Sequence, residues 1–257
     1  MKRLIALSVV ALCYVGNLYA QEIVAHRGYH AAKGAVENSM AALNAAIEAG
    51  LSVVECDVNM TSDGELVVVN GPWLGKRDDA DRLNIQRSDL ATLRSKRLAN
   101  GEQVPTLDDF LAVMATNEAI RLIIDIRDHA TPQIESDVVR KVVAAVKQHK
   151  VQGRVVFTAS RQHICNELVR LAPSNSEVLY LAGNLTPRYV EGLGYTGIGY
   201  SLETLRRLPR WIDEARKLDL KVGIWAVNSA DDATWAILQG VDYIATDAPA
   251  AVQEVME

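Results

Sequence analysis

The 257-residue chain is 49% hydrophobic and 23% charged, with a formal net charge of −5. That length and apolar content suffice for one large core without a second domain. The acidic balance and the lack of a basic stripe exclude nucleic acid from the expected partners.

Residues 1–20 differ in character from the rest. Lys2 and Arg3 precede an apolar run, Leu4 to Val15, and Leu18-Tyr19-Ala20 precedes Gln21. This pattern predicts a secretory signal peptide cut after Ala20. The run is shorter than the roughly 20 apolar residues of a membrane span, so no stable membrane insertion is expected. Cys13 follows Leu12, which is too large for a lipoprotein site. Residues 21–257 are therefore expected to form a single exported domain, periplasmic or secreted. Loss of Lys2 and Arg3 takes the net charge from −5 to −7.

The first predicted strand, Ile23–Ala25, ends in His26-Arg27-Gly28. A helix over Ser39–Ala49 follows, with Asn38 as its start signal. The strand Leu51–Val58 carries Glu55 and Asp57, which point to one face because they are two residues apart. Cys56, between them, should face the helix layer as a small hydrophobe, so no Cys56–Cys165 disulfide is expected. Asp63-Gly64 then marks a hairpin leading to Val67-Val68-Val69-Asn70. Gly71 to about Val104 is a charged excursion with a candidate helix near Ser88–Lys96. Its Trp73 and Leu74 are expected to form a small core of the loop's own.

After this excursion the rhythm is regular. Helix Leu107–Thr116 starts after Thr106. Strand Arg121–Ile126 carries Asp125, with Arg127 just beyond. Helix Ile134–Gln148, strand Arg154–Ala159, helix Gln162–Leu171 and strand Glu177–Leu181 follow. Helix Pro187–Leu193, strand Gly197–Ser201, helix Leu202–Leu218, strand Lys221–Val227, helix Asp231–Leu238 and strand Tyr243–Thr246 complete the series. Eight strands, most of them nearly continuously apolar, alternating with helices predict an α/β TIM (β/α)8 barrel with a hairpin and loop insertion after the second strand. An open doubly wound sheet is the runner-up. It is disfavoured because no Gly-rich dinucleotide fingerprint follows any strand.

In such a barrel, chemistry sits at the C-terminal strand ends. Glu55 and Asp57 alone fit either a hard divalent cation between them or salt bridges to basic residues at the rim. Asp125 adds a third carboxylate at the same rim. With His26 as an acid or base, and Arg27 and Arg127 to clamp non-bridging oxygens, the set suits a phosphate ester.

The motifs also stand in a recognisable order. They are His26-Arg27-Gly28, Val36-Glu37-Asn38-Ser39, Glu55-Cys56-Asp57-Val58, Thr61-Ser62-Asp63-Gly64 and Pro105-Thr106-Leu107. Trp225-Ala226-Val227-Asn228 and the run from Gly240 to Pro249 follow late in the chain. In this order they resemble the glycerophosphodiester phosphodiesterase family, whose fold is a TIM barrel. The resemblance implies metal-dependent hydrolysis of a small-molecule glycerophosphodiester to an alcohol and glycerol 3-phosphate. It implies Glu55, Asp57 and Asp125 as ligands of Ca²⁺ or Mg²⁺, and His26 as one of two catalytic histidines. Among substrate contacts, it implies Arg27 on the phosphate and Trp225 in the site wall, with Glu37 supporting by hydrogen bonding.

The chain departs from the pattern at the second catalytic histidine. Counting from Asp63-Gly64 puts that position at Asn70, with Gly71 in place of an aspartate. Asparagine cannot shuttle a proton near neutral pH, though it can hydrogen-bond a phosphate oxygen or leaving group. His30, Lys33, Lys76 and His129 are candidate substitutes. Asp125-Ile126-Arg127 stands where the family has Glu-x-Lys, but sphingomyelinase D-type enzymes also resemble this chain in using aspartate there. Val36 replaces the proline before Glu37. Two functional expectations stay open: an active phosphodiesterase, or a weakly active or inactive relative that binds a phosphorylated ligand.

Overall fold

The structure, a computed structural model, describes residues 21–75 and 78–256. The expected signal peptide and Lys76 lie outside the described residues. The elements run β1 (Glu22–Ala25), α1 (Met40–Glu48), β2 (Val53–Met60), β3 (Leu66–Val68), β4 (Trp73–Leu74), β5 (Leu83–Asn84), α2 (Leu90–Ser95) and α3 (Leu107–Thr116). They continue with β6 (Arg121–Ile126), α4 (Pro132–Gln148), β7 (Val155–Ala159), α5 (Gln162–Leu171), β8 (Glu177–Tyr180) and α6 (Pro187–Gly192). The last are β9 (Gly197–Ser201), α7 (Leu202–Arg207), α8 (Arg210–Lys217), β10 (Lys221–Trp225), α9 (Ala230–Gln239), β11 (Tyr243–Thr246) and α10 (Pro249–Met256).

The parallel strands run β1-β11-β10-β9-β8-β7-β6-β2, and β1 pairs again with β2, which closes the barrel. β3 adds antiparallel to β2, Val58 opposite Val68, as the hairpin signal predicts. Period-two alternation sets the layers. Val24, Val53, Ile123, Val156, Leu179 and Tyr243 form one ring inside the barrel. The alternate residues, among them Ala25, Val54, Cys56, Ile124 and Phe157, pack outward with the helices in the main core. Cys56 and Cys165 are both free and buried there. At the N-terminal end Arg121 pairs with Glu22, lies 3.2 Å from Glu177 and donates to the Tyr243 hydroxyl at 3.0 Å. Among the described residues no helix is long and apolar enough to cross a membrane.

Three helix readings change. The expected helix Leu202–Leu218 is two helices, because Pro209 has no N–H to donate and restricts Leu208, which leaves the helical region at φ −129°, ψ 55°. α10 was not expected. It is short, but it packs against α9 and β1 and covers the barrel's closing seam. The helix α1 begins one residue later than predicted: Ser39 is its cap, accepting from the Ala42 N–H, which frees Asn38 for another role. The excursion has its own core of Val67, Val69, Leu74, Ile85, Leu93 and Val104. Leu74 sits in it, while Trp73 is exposed with Arg82 stacked 4.3 Å from its ring.

Beyond β6 the chain is pinned by His129, which is buried. Its Nε2 accepts from the Met60 N–H at 3.1 Å and its Nδ1 donates to the Arg127 carbonyl at 2.8 Å. Both ring nitrogens are thus committed to backbone. This leaves His129 no free nitrogen with which to replace a missing catalytic acid. It ties the end of β2 to the turn after β6. Burial holds its pKa below the ordinary histidine value, against the Arg127 carbonyl, Glu135 and Asp128.

Two measurements check these contacts. Gly28 has φ +76°, and a Cβ there would meet Ala42 atoms at 2.7–2.9 Å. Gly28→Ala is expected to lower unfolding stability by about 3 kcal/mol, read by urea unfolding. His129→Ala should cost about 2 kcal/mol at pH 8, since Met60 N–H and the Arg127 carbonyl lose their partner. Because the folded pKa is depressed, the unfolded chain binds the proton first. The contribution is therefore complete above about 6.5, the unfolded value, and is lost as pH falls toward the folded one. The stability gap between wild type and His129→Ala should narrow between pH 8 and pH 5.

Candidate active site

β2 and β6 are in a register that sets Asp57 opposite Asp125 and Glu55 opposite Ile123. Glu55, Asp57 and Asp125 all face inward at the C-terminal end and are buried, and one oxygen from each lies within 4.8 Å of the others. Each carboxylate is held. The Arg27 N–H donates to Glu55 Oε2 at 2.8 Å. Asn38 grips Asp57 twice, donating from Nδ2 to Oδ2 at 2.8 Å and accepting the Asp57 N–H at 3.0 Å. Asn38 reaches it from a left-handed conformation, φ 60°, which asparagine tolerates better than most residues. Arg27 Nε lies 3.1 Å from Asp57 Oδ2. Arg127 Nη1 lies 2.5 Å from Asp125 Oδ2 and 3.3 Å from Asp57 Oδ1.

These partners do not balance the charge. Burial, then Asp57 and Asp125, pushes the Glu55 carboxyl well above its usual range. Burial also raises Asp125 to about 6, although Arg127 opposes it. A cation held among these carboxylates would offset that cost and favour their ionised forms. The donor set is all carboxylate oxygen, which is what Ca²⁺ or Mg²⁺ takes, so these residues fit a hard divalent ion.

His26 stands beside them at the end of β1. Its Nδ1 is 2.7 Å from Asp247 Oδ1 and its Nε2 is 4.0 Å from Glu55 Oε2. Asp247 follows β11 and also meets His30 Nε2 at 3.1 Å and Asn228 Nδ2 at 2.7 Å. Sequence reasoning left Asp247 and Asn228 without a role. The signal available was their position just past the last two strands, within Trp225–Asn228 and Gly240–Pro249.

A cavity of about 380 Å³ opens over this set, lined by His26, Arg27, Glu55, Asp57, Asp125, Arg127 and Trp225 among others. It has room because the inward positions Gly199 and Gly223 carry no side chain, and both line it. At Gly199 a Cβ would meet Leu181 Cδ2 at 2.6 Å. Trp225 forms part of the wall, its Nε1 donating to the Gly199 carbonyl at 2.8 Å.

Glu37, Asn70, His30 and Lys33 do not line the cavity. Glu37 is exposed and accepts from Arg27 Nη1 at 2.8 Å, so its contact is with Arg27. Asn70 is half-buried at the barrel mouth. The Val69 N–H before it donates to the Asp57 carbonyl at 2.9 Å. Buried Asn59 clasps the backbone on both sides, donating to the Val69 carbonyl at 2.8 Å and the Gly71 carbonyl at 3.2 Å. Lys33 is exposed.

Comparison with known proteins bears on the fold and the family. A glycerophosphodiester phosphodiesterase of Parabacteroides distasonis is 33% identical, with a TM-score of 0.87 over 92% of this chain and 96% of that one. An Oleispira antarctica phosphodiesterase, solved with the product sn-glycerol-3-phosphate, shares the fold at 20% identity and a TM-score of 0.78, over 91% of this chain and 96% of that one. The glycerophosphodiester phosphodiesterase of Caldanaerobacter subterraneus is 24% identical over 237 residues, 88% of this chain and 94% of that protein. The Glycerophosphoryl diester phosphodiesterase family matches residues 26–251, from His26 into the last helix, and the chain belongs to that family.

Proposed function

We propose that this chain is an exported, divalent-cation-dependent phosphodiesterase that hydrolyses glycerophosphodiesters to an alcohol and glycerol 3-phosphate. The observation that carries the reading is the carboxylate trio beside His26 in one cavity. Charge supports the cation. Leaving His26 aside, three carboxyl groups lining the cavity face two guanidinium groups, Arg27 and Arg127. A phosphodiester adds one more negative charge, and a divalent ion bound by Glu55, Asp57 and Asp125 offsets both. When bound, such an ion supplies charge neutralisation and polarises a phosphoryl oxygen.

The chain's own residues do the rest. Arg27 and Arg127 line the cavity and present guanidinium groups suited to non-bridging phosphate oxygens. Trp225 bounds the space for the organic part of the substrate. His26 Nε2 is the atom placed to take or give a proton, because Nδ1 is occupied by Asp247. Asn70, at the mouth, can accept or donate a hydrogen bond but carries no titratable proton. Protonation of an alkoxide leaving group is therefore the weak step in this site.

The first test is glycerol 3-phosphate release from a panel of glycerophosphodiesters, with Ca²⁺, Mg²⁺ or chelator. Cation-dependent release is expected, reduced about a hundredfold or more in His26→Ala. Release no greater than in that variant would reject hydrolysis and leave the ligand-binding reading. Asn70→His is expected to raise kcat on glycerophosphocholine by about a hundredfold, while an aryl diester, whose leaving group needs no proton, should change little. No gain, with glycerol 3-phosphate still bound, would favour a binding protein. Amino-terminal sequencing of the exported product should begin at Gln21.

A further inference from the structure

The Asp247 side chain is enclosed by donors from three separate places in the fold. Oδ1 receives His26 Nδ1 from the end of β1 at 2.7 Å and His30 Nε2 from the following loop at 3.1 Å. Oδ2 receives Asn228 Nδ2, from beyond β10, at 2.7 Å. Asn228 is itself fixed: its Oδ1 accepts the Asp247 N–H at 2.9 Å and the Thr246 hydroxyl at 3.3 Å. Although burial works against it, hydrogen bonds from His26, His30 and Asn228 hold the Asp247 carboxyl down at about 2. It is an acceptor only throughout the working pH range.

An acceptor-only group decides where its neighbours carry protons. His26 must hold a proton on Nδ1, so in the neutral ring the lone pair is on Nε2, the nitrogen nearer Glu55. His30 must hold a proton on Nε2 and spends that nitrogen on Asp247. It does not line the cavity. Proximity in sequence to His26 made His30 a candidate substitute for the absent second histidine, but its geometry gives it a different task.

Resting on the reading of His26 as the proton-transfer residue, we propose that Asp247 is a positioning residue that fixes the tautomer and direction of His26. His30 is the second donor that keeps the Asp247 carboxylate in place, and it is not a replacement acid. Both act through His26 and neither touches substrate.

Two readouts test this on the mature protein. In steady-state hydrolysis of glycerophosphocholine, Asp247→Ala should lower kcat about a hundredfold or more with KM within about threefold, because a mis-set imidazole still leaves the phosphate contacts intact. His30→Leu should lower kcat about tenfold. His30→Gln should recover most of that loss, since an amide N–H can donate to Asp247 but cannot relay a proton. Thermal unfolding of each variant identifies any loss due to misfolding, and the Gln–Leu pair at position 30 then carries the comparison. The second readout is nitrogen NMR of the histidine rings in mildly alkaline buffer. His26 should be protonated at Nδ1 in the wild type and in His30→Gln, and should become a tautomer mixture in Asp247→Ala. Unchanged kcat in Asp247→Ala, a loss confined to KM, or a wild-type His26 protonated at Nε2 would overturn the assignment. His30→Gln as damaging as His30→Leu would overturn the role given to His30. A wild type that hydrolyses nothing yet keeps the Nδ1 proton supports the positioning role and rejects only the hydrolytic reading.

Discussion

The constraint on which the site depends is the burial of three carboxylates at one end of a barrel. Glu55, Asp57 and Asp125 have oxygens within 4.8 Å of one another with almost no solvent access. Such a group destabilises a fold unless donors and cations surround it. The surroundings are built accordingly. Arg27 contributes its backbone N–H to Glu55 and its side chain to Asp57, Asn38 clasps Asp57, and Arg127 bridges Asp125 and Asp57. Even so, Glu55 and Asp125 stay raised. The positive-φ residues Arg27 and Asn38 belong to the turn that brings two of these partners in.

The barrel makes that concentration possible by separating two chemistries along each strand. Val53, Ile123 and Val24 lie in the apolar ring, and two residues later Glu55, Asp125 and His26 stand at the next inward level. The alternate side chains build the helix-facing core, which stays apolar and supplies the cohesion that the acidic end cannot. A one-residue slip of β2 against β6 would exchange Cys56 for Glu55 in the interior and place a carboxylate among the helices. The register is therefore enforced by both faces at once.

This division explains what the sequence made legible. Most of the barrel strands are nearly continuously apolar, so they stood out as runs, and the residues ending them were read as a rim. The trio and His26 follow from that alone. Residues acting across long sequence gaps were harder to read. Asn38 looks like a helix cap, because local pattern cannot distinguish a side chain turned to its own helix from one turned to Asp57 nineteen residues on. Asp247 meets His26 only because β11 pairs with β1, a closure contact linking the two ends of the domain. His129 looked like chemistry and is a backbone brace, because its partners Met60 and Arg127 are adjacent only after β2 and β6 pair. The break at Pro209 was locally visible, and the apolar periodicity on both sides concealed it.

The same electrostatics bear on the choice between an enzyme and a binding protein. A site evolved only to hold a phosphorylated ligand gains from positive charge, and buried carboxylates repel that ligand unless a cation sits between them. Here acidic groups outnumber the guanidinium groups in the cavity, so an anion needs a cation at the trio before Arg27 and Arg127 can favour it. On either reading, then, a cation held by the trio would serve ligand recognition. What separates the readings is His26. Its Nδ1 is committed to a carboxylate that is itself tied down by His30 and Asn228, and its Nε2 is turned toward Glu55. A neutral hydrogen-bonding side chain would serve binding equally well without that apparatus. A fixed tautomer is of use to a group that transfers a proton, which is why the Asp247 network weighs toward catalysis even with Asn70 at the mouth.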